Sequence, residues 1–441
     1  MGRNVIYGQI LNPKPNGEIE FIKTGYLEFD ENSGLITNVG KADTKKFTEN
    51  GGEKQIIIPG LIDLHSHIPQ LPGVAKNANE LLPWLKNHIF PLEVKFQNVE
   101  YAERIARFFF TEALRFGTTT IVAYASVHKD ATDVSFQVAR EIGIRAFIGK
   151  VMMDRDMKRY PEELPLMARN IKDSLDLAKK WHNANGGLLQ YVFTPRFAAS
   201  CTMRLLQKTA QVAKEGGFFI QTHLAENQSE IRFIKSLFEK ERHRVPTNTH
   251  IFKKSNLLGE KTLLAHCLYL SNVELQIIAE SQSKIVHCPT SNIFLQSGFM
   301  PLRRYQAHDI SVGIGTDVAG GYSLSMFNSM RDAIETSKMV NLIYDNRPTP
   351  FLTAPEAFWI ATYGNAKILQ LDGKIGSLEK NKEADIVVIA TNSSFDFYNN
   401  HNSVQNILEN LIYLPHTYTI EKVFVRGKLM DLVGANNHSP L

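Results

Sequence analysis

Two histidines one residue apart, His65 and His67, close the run IIIPGLIDLHSHIPQ at residues 56–70. In a strand, side chains at i and i+2 project from the same face, so the two imidazoles stand together. Neutral imidazole nitrogens bind Zn²⁺ at about 2.0–2.1 Å, and a catalytic site uses three or four protein ligands while leaving a position for water. A strand-borne His-x-His is therefore half of a metal site and calls for partners elsewhere in the chain. Further apolar runs end in the same way: Arg196 follows Leu188–Phe193, His223 closes FFIQTH, His266 closes TLLAH, His287 closes KIVH, and Asp317 closes SVGIGTD. One strand-end histidine ordinarily ties down a loop. When five runs each deliver His or Asp at the same end, a shared site is the stronger reading.

Something must hold those ends together. Between residues 59 and 372, helical patterns alternate with short apolar runs, the signature of βα units and a parallel sheet. The stretch Asn98–Phe116 places Ile105, Phe108, Phe109, Ala113 and Leu114 at near-helical spacing and stops at Gly117, before the strand-like TTTIVAYAS. Ile144–Met152, Leu188–Phe193, Gly217–Thr222, Thr262–Ala265, Lys284–His287 and Ser311–Gly315 repeat the pattern. With Ile56–Leu64 and Thr118–Ala123 they supply enough strands for a (β/α)₈ barrel, whose active sites lie at the C-terminal strand ends. Residues 1–58 and 373–441 read differently. Asn4–Ile10, Glu18–Ile22, Thr24–Phe29, Gly34–Val39, Ala384–Ala390 and Thr419–Leu429 are short alternating runs broken by turn signals such as Asn16-Gly17. The expected fold is α/β: a TIM-like barrel over 59–372 with a small β-sandwich built from both termini.

Composition bounds what such a barrel could meet. The 441 residues are 43% hydrophobic, and 49 basic against 45 acidic side chains leave a formal charge of +4. The charges are interspersed, with no block that would make an arm for nucleic acid or a membrane surface. A small molecule is the expected partner. Cys201, Cys267 and Cys288 are odd in number and widely spaced, which argues against a disulfide framework and for a reducing compartment. The start, MGRNVIYGQI, has no apolar leader, and no apolar run is long enough to span a bilayer. The expectation is a soluble, cytoplasmic protein.

The motifs carry a resemblance. PGLIDLHSH, QTHLAE, LLAH and GIGTD, in that order, resemble the amidohydrolase superfamily of metal-dependent barrel hydrolases. Narrower strings are similar to guanine deaminases: HIPQ from the second histidine, ELLPWLKNHIFPLE at residues 80–93, PRF at residues 195–197 followed by Cys201, HCPTSN at residues 287–292, and GTDVAGGYSLSM at residues 315–326. Leu64 and Ser66 depart from the family's usual neighbours of the histidine pair, and their side chains are expected to point away from the metal.

The resemblance implies His65, His67, His223 and Asp317 as ligands of one Zn²⁺ per subunit; Fe²⁺ suits the same donors. The segment LQYVFTPRF has no lysine of the kind that is carbamylated to bridge two metals. His266 is implied as the residue that holds the attacking water, Asp317 as its base, and Glu226 as the proton shuttle. Taken alone, Glu226 would more often be an acidic residue favoured at a helix N-terminus. Gln70, Arg196 and Phe197 are implied to hold guanine together with His223, Glu226 and Asp317, with Trp84 walling the pocket. Without the resemblance, Gln70 reads equally as a loop cap, Arg196 as an ion-pair partner and Trp84 as core. The implied reaction is hydrolytic deamination of guanine to xanthine and ammonia by a homodimeric enzyme. The rivals are a related hydrolase acting on another purine, a pterin or a triazine, and a barrel retained only as a binding scaffold. A scaffold would have lost ligands, and this sequence has lost none.

Overall fold

The computed structural model describes residues 2–76, 80–155, 164–241, 245–344, 350–399 and 403–432. Eight parallel strands form the central body: β1 (Leu61–His67), β2 (Thr118–Tyr124), β3 (Arg145–Gly149), β4 (Leu189–Pro195), β5 (Phe219–Leu224), β6 (Thr262–His266), β7 (Lys284–His287) and β8 (Val312–Ile314). They pair in sequence order, and a two-residue strand, Val151–Met152, adds to β4. Helices such as Val99–Arg115, Lys129–Ile142 and Met203–Gly216 make the crossovers. The predicted barrel is present, nearly closed.

The seam between β1 and β8 lies where the chemistry would be. The Asp317 amide donates to the His65 carbonyl at 2.7 Å, and the His67 amide donates to the Val318 carbonyl at 3.0 Å. Deeper in the seam, the Asn365 amide donates to the carbonyls of Ile62 (2.8 Å) and Ile314 (2.9 Å), spanning the strands with a side chain. Asp63 accepts from Thr316 N at 3.0 Å and from His65 N at 3.1 Å. The last strand is thus tied to the first by the residues flanking the candidate ligands.

Ile62 and Leu64 pack inside the barrel with Val122, Phe147, Val192, Leu263 and Val286. Strict alternation would then send His65 and His67 outward. The register of β1 against β2 shifts between Asp63 and Ser66, where β1 carries one extra residue. Such a bulge re-aims the side chains that follow it. Leu64 fills the barrel beneath the histidines, away from the converging donors, while Ser66 lies within 3.3 Å of Thr316 Oγ1.

Both chain ends meet in one seven-stranded mixed sheet, ordered Lys428–Leu429, Tyr418–Val425, Ile386–Thr391, Gln55–Pro59, Arg3–Pro13, Ile19–Asp30, Leu35–Lys41. Three strands separate Phe29 from Phe424, which in a flat sheet would put them about 19 Å apart. Their ring centroids are 5.1 Å apart, so the sheet rolls over and encloses its own core of Ile10, Leu27, Ile57, Ile386 and Val388. The expected single strand Ile56–Leu64 is divided: Gln55–Pro59 belongs to this sheet and Leu61–His67 to the barrel. Gly60 sits at the division, where an added Cβ would lie 2.0 Å from Thr119 Oγ1. Arg145 at the start of β3 binds Glu383 (2.6 Å) and Asp385 (3.2 Å), tying barrel to sheet.

Candidate active site

At the C-terminal mouth of the barrel, β1 supplies His65 and His67, β5 supplies His223, and the turn after β8 supplies Asp317. Their donor atoms converge. His67 Nε2 is 3.2 Å from His65 Nε2 and 3.3 Å from His223 Nε2. Asp317 Oδ1 is 3.2 Å from both His65 Nε2 and His67 Nε2. Four ligands at Zn–N and Zn–O distances near 2.0–2.1 Å lie about 3.3 Å apart along the edges of a tetrahedron. The spacing fits one small divalent cation. His223 Nδ1 donates to the Arg196 carbonyl at 2.7 Å, which leaves the Nε2 lone pair facing the centre. A second grouping, His65, His266, Cys288 and Asp317, shares two of these residues. Burial pushes the Cys288 thiol well above its ordinary range, disfavouring the thiolate that a ligand must be.

Burial also favours the neutral form of two of these imidazoles, as metal binding requires. It pushes His67 down to about 3 and His223 well below the usual histidine range. Burial alone would raise the Asp317 carboxyl, but hydrogen bonding and charge from His65, then His67, hold it well below the carboxylate range. The ring of Tyr124, on β2, packs against His65, His67 and His223 with centroids 4.4–4.9 Å away.

Glu226 lies just past β5, before the helix Gln228–Lys240. The N-cap of that helix is Asn227, and the capping box is completed by Glu230, whose Oε2 accepts from the backbone of Glu226 at 2.9 Å and of Asn227 at 3.3 Å. With capping assigned to Glu230, the Glu226 carboxylate turns to the cavity, its Oε2 3.4 Å from His266 Nε2. Burial, then the charge of Asp317, raises the Glu226 carboxyl well above its ordinary value. His266 Nδ1 donates to Asn292 Oδ1 at 2.9 Å, leaving Nε2 toward Glu226 and, at 3.7 Å, Asp317 Oδ2. His287 is buried beside this pair and belongs neither to the converging donors nor to the cavity wall.

Above the donors is a small cavity whose roughly 380 Å³ of empty space includes its open mouth. His67, His223, Glu226 and Asp317 form its floor, Gln70 and Arg196 add polar contacts, and Leu81, Trp84, Leu85, Phe197 and Leu295 are the apolar wall. Trp84 is fixed by its indole N–H donating to the Lys76 carbonyl at 2.7 Å. Gln70 follows His67 in a 3₁₀ turn, and Arg196 follows β4 with its guanidinium over the Phe90 ring. Every residue named from the sequence for the site, His287 apart, is at this one place.

Sequence reasoning passed over several participants. Glu93 accepts from Gln70 Nε2 at 3.2 Å and pairs with Arg196 Nη1 at 2.5 Å, although it stands in the quoted string ELLPWLKNHIFPLE. Asp63, an acid within an apolar run, carried a signal of its own, a polar residue where the local pattern wants an apolar one, and Asn292 stands in the quoted string HCPTSN. Tyr124 gave none.

The amidohydrolase family matches residues 56–430. The guanine deaminase of Dictyostelium discoideum is 33% identical over 95% of this chain and 96% of its own. The human guanine deaminase is 34% identical over 85% of this chain and 82% of its own. Among solved structures, the guanine deaminase of C. acetobutylicum, with guanine bound in its active site, superposes with a TM-score of 0.86 at 31% identity, covering 97% of this chain and all of that one. The E. coli guanine deaminase gives the same TM-score, 0.86, at 30% identity, covering 97% of this chain and 99% of that one.

Proposed function

The chain belongs to the amidohydrolase family, and we propose that within it the protein is a guanine deaminase, converting guanine and water to xanthine and ammonia. The observation that carries this is the meeting of four metal-type donors, 3.2–3.3 Å apart, with Glu226, Gln70 and Arg196 around one apolar-walled cavity.

His65, His67, His223 and Asp317 would hold one Zn²⁺, and a divalent ion so held makes water nucleophilic at neutral pH. The chain's own groups supply the rest. Asp317, kept ionised by its histidine neighbours, takes a proton from the attacking water as oxygen bonds to C2 of the ring. His266, its tautomer set by Asn292, aims Nε2 at the same region and orients that water. Glu226 delivers a proton to a ring nitrogen, and a second transfer to the amine lets the C2–N bond break and ammonia leave. Gln70 and Arg196 grip the ring edge, while Phe197 and Trp84 keep the purine flat and bulk water out.

The barrel, residues 59–372, carries this chemistry, and none of the described residues of the terminal sheet, 1–58 with 373–441, lines the cavity. Three buried, unbridged cysteines support a reducing, cytoplasmic setting. Among the described residues, no helix is long and apolar enough to cross a membrane. A homodimer is proposed on the resemblance and is tested by light scattering.

The deciding experiment is an ammonia-release screen of zinc-loaded protein on guanine, adenine, cytosine, 8-oxoguanine, guanosine, a pterin and a triazine. Guanine should lead by at least about 100-fold in kcat/KM, since a site built on hydrogen bonds rejects analogues that leave its groups unpaired. A different leading substrate would overturn the guanine assignment and keep the metal hydrolase; no release from any of them would overturn both.

A further inference from the structure

Gln70 and Arg196 lie in different parts of the chain, one after β1 and one after β4, yet one carboxylate holds both. Glu93 Oε1 accepts from Gln70 Nε2 at 3.2 Å, and Glu93 Oε2 pairs with Arg196 Nη1 at 2.5 Å. All three are buried, at 3% exposure each. Glu93 itself does not line the cavity, and Gln70 and Arg196 do. It sits in the short helix Phe90–Val94, whose Phe90 ring packs under the Arg196 guanidinium with 5.0 Å to the centroid.

We propose that Glu93 is a positioning residue that sets which hydrogen-bonding pattern the cavity shows a purine. An ionised carboxylate only accepts, so it must face the amide nitrogen of Gln70 and never its oxygen. Gln70 cannot flip without setting its carbonyl against that carboxylate. Its Oε1 is thereby committed to the cavity as an acceptor. The second carboxylate oxygen fixes one end of the Arg196 fork and neutralises its charge, so that the guanidinium meets the substrate as a fixed donor. An acceptor beside a donor is the complement of a ring N–H beside a carbonyl, the lactam edge of guanine, and the mismatch of an edge with a bare ring nitrogen beside an amino or methyl group. Glu93 thus decides selection for the 6-oxo edge without touching the substrate. The proposal rests on the purine-site reading above and deepens it.

The test is a binding measurement, so that it does not depend on turnover. Hypoxanthine carries the lactam edge, 6-methylpurine replaces the carbonyl by a methyl group, and neither has a 2-amino group to lose. Their dissociation constants are measured calorimetrically on zinc-loaded wild type, Glu93→Gln and Glu93→Asp. Wild type should favour hypoxanthine by about 10-fold or more, since each unmade buried hydrogen bond costs about a factor of ten. In Glu93→Gln, where the amide can satisfy Gln70 in either orientation and the Glu93 charge is withdrawn from Arg196, the preference should collapse to within about 3-fold. Glu93→Asp keeps the charge and withdraws it by one methylene, and should fall between. A residue that merely props up the fold would weaken both ligands alike and leave their ratio in place, and that outcome overturns the proposal. So does an unchanged ratio in both variants. Should Glu93→Gln not fold, the ratio in Glu93→Asp decides. Loss of the purine site as such shows differently, as wild type that binds neither purine or releases no ammonia from guanine.

Discussion

Glu226→Gln is the substitution that isolates proton movement from everything else in the site. Glutamine has nearly the shape of a protonated glutamate, the form toward which burial and the charge of Asp317 push the Glu226 carboxyl. The loop should survive the change, because the Glu226 backbone is pinned by Glu230 at 2.9 Å and not by its own side chain. The metal ligands should survive as well, since the carboxylate contacts His266, at 3.4 Å, which is outside the four converging donors. What disappears is the ability to give and retake a proton. A positioned general acid or base contributes about 10²–10⁴-fold, or about 2.7–5.5 kcal/mol of barrier at 1.36 kcal/mol per decade. The expected result is a kcat on guanine at least about 100-fold below wild type, with KM within about 3-fold and zinc per chain unchanged. Steady-state ammonia release and elemental analysis of the same preparation give both numbers. A kcat within about 3-fold of wild type would show that the proton travels through another residue. Zinc lost in proportion to activity would show that Glu226 supports the ligand cage.

Other outcomes follow from neighbouring geometry. His223→Ala removes one of four converging donors and should abolish both metal and turnover, and exhaustive chelation of wild type should do the same until Zn²⁺ is restored; elemental analysis should find close to one ion per chain. Arg196→Ala leaves Glu93 buried with one partner fewer and the substrate carbonyl unmatched, a loss of about 1–3 kcal/mol or more, so kcat/KM on guanine should fall at least about 10-fold with zinc retained. By the same logic wild type should deaminate adenine roughly 10⁴-fold less efficiently than guanine, and equal efficiency would refute the hydrogen-bond pattern assigned to Arg196. Lys150 is buried against Asn170 Oδ1 (3.1 Å) and the Val151 carbonyl (3.3 Å), and burial pushes its ammonium down to about 8. The unfolded chain keeps that proton to about 10.4, so between about pH 8 and 10 it binds more protons than the folded chain, and this group's contribution to stability rises with pH. The Tm of wild type relative to Lys150→Met should therefore rise across that window, and a flat difference would refute the assignment.

Much of the site was legible because strand ends are punctuated in sequence. His223, His266 and Asp317 each end an apolar run, and a parallel barrel brings such ends to one face whatever the helices between them do. The fold was legible for the same reason: buried parallel strands read as continuous apolar runs, and Lys284–His287 was even bounded correctly. The misses have a common physical origin. The phase of β1 is hidden because a bulge adds one residue and leaves no compositional mark, so nothing in the sequence shows that Leu64 fills the barrel. The strand read as Ile56–Leu64 was two, because Pro59-Gly60 is apolar enough to hide a change of sheet. Glu93 and Tyr124 act through contacts 23 or more residues distant in sequence, to Gln70 and to histidines on other strands. Periodicity carries no information about such pairings.

The two carboxyl groups nearest the reaction show what the fold contributes beyond bringing residues together. Glu226 and Asp317 are both buried, each with 7% side-chain exposure, and burial pushes both toward the protonated form. They part because their partners differ. Asp317 sits at the β1–β8 seam with His65 and His67 Nε2 each 3.2 Å from one oxygen, and stays ionised. Glu226 has no such pair and faces Asp317's negative charge, so its carboxyl is pushed well above the usual carboxylate range. The fold therefore drives the two carboxyls in opposite directions, Asp317 toward the base and Glu226 toward the acid, which is the division of labour that deamination needs. The apolar wall from Leu81 to Leu85 is part of the same device, because bulk water at the mouth would screen Asp317 from Glu226 and relieve the burial that separates them. The segment that reads in the sequence as a mere pocket wall is, in these terms, a determinant of the acid's protonation.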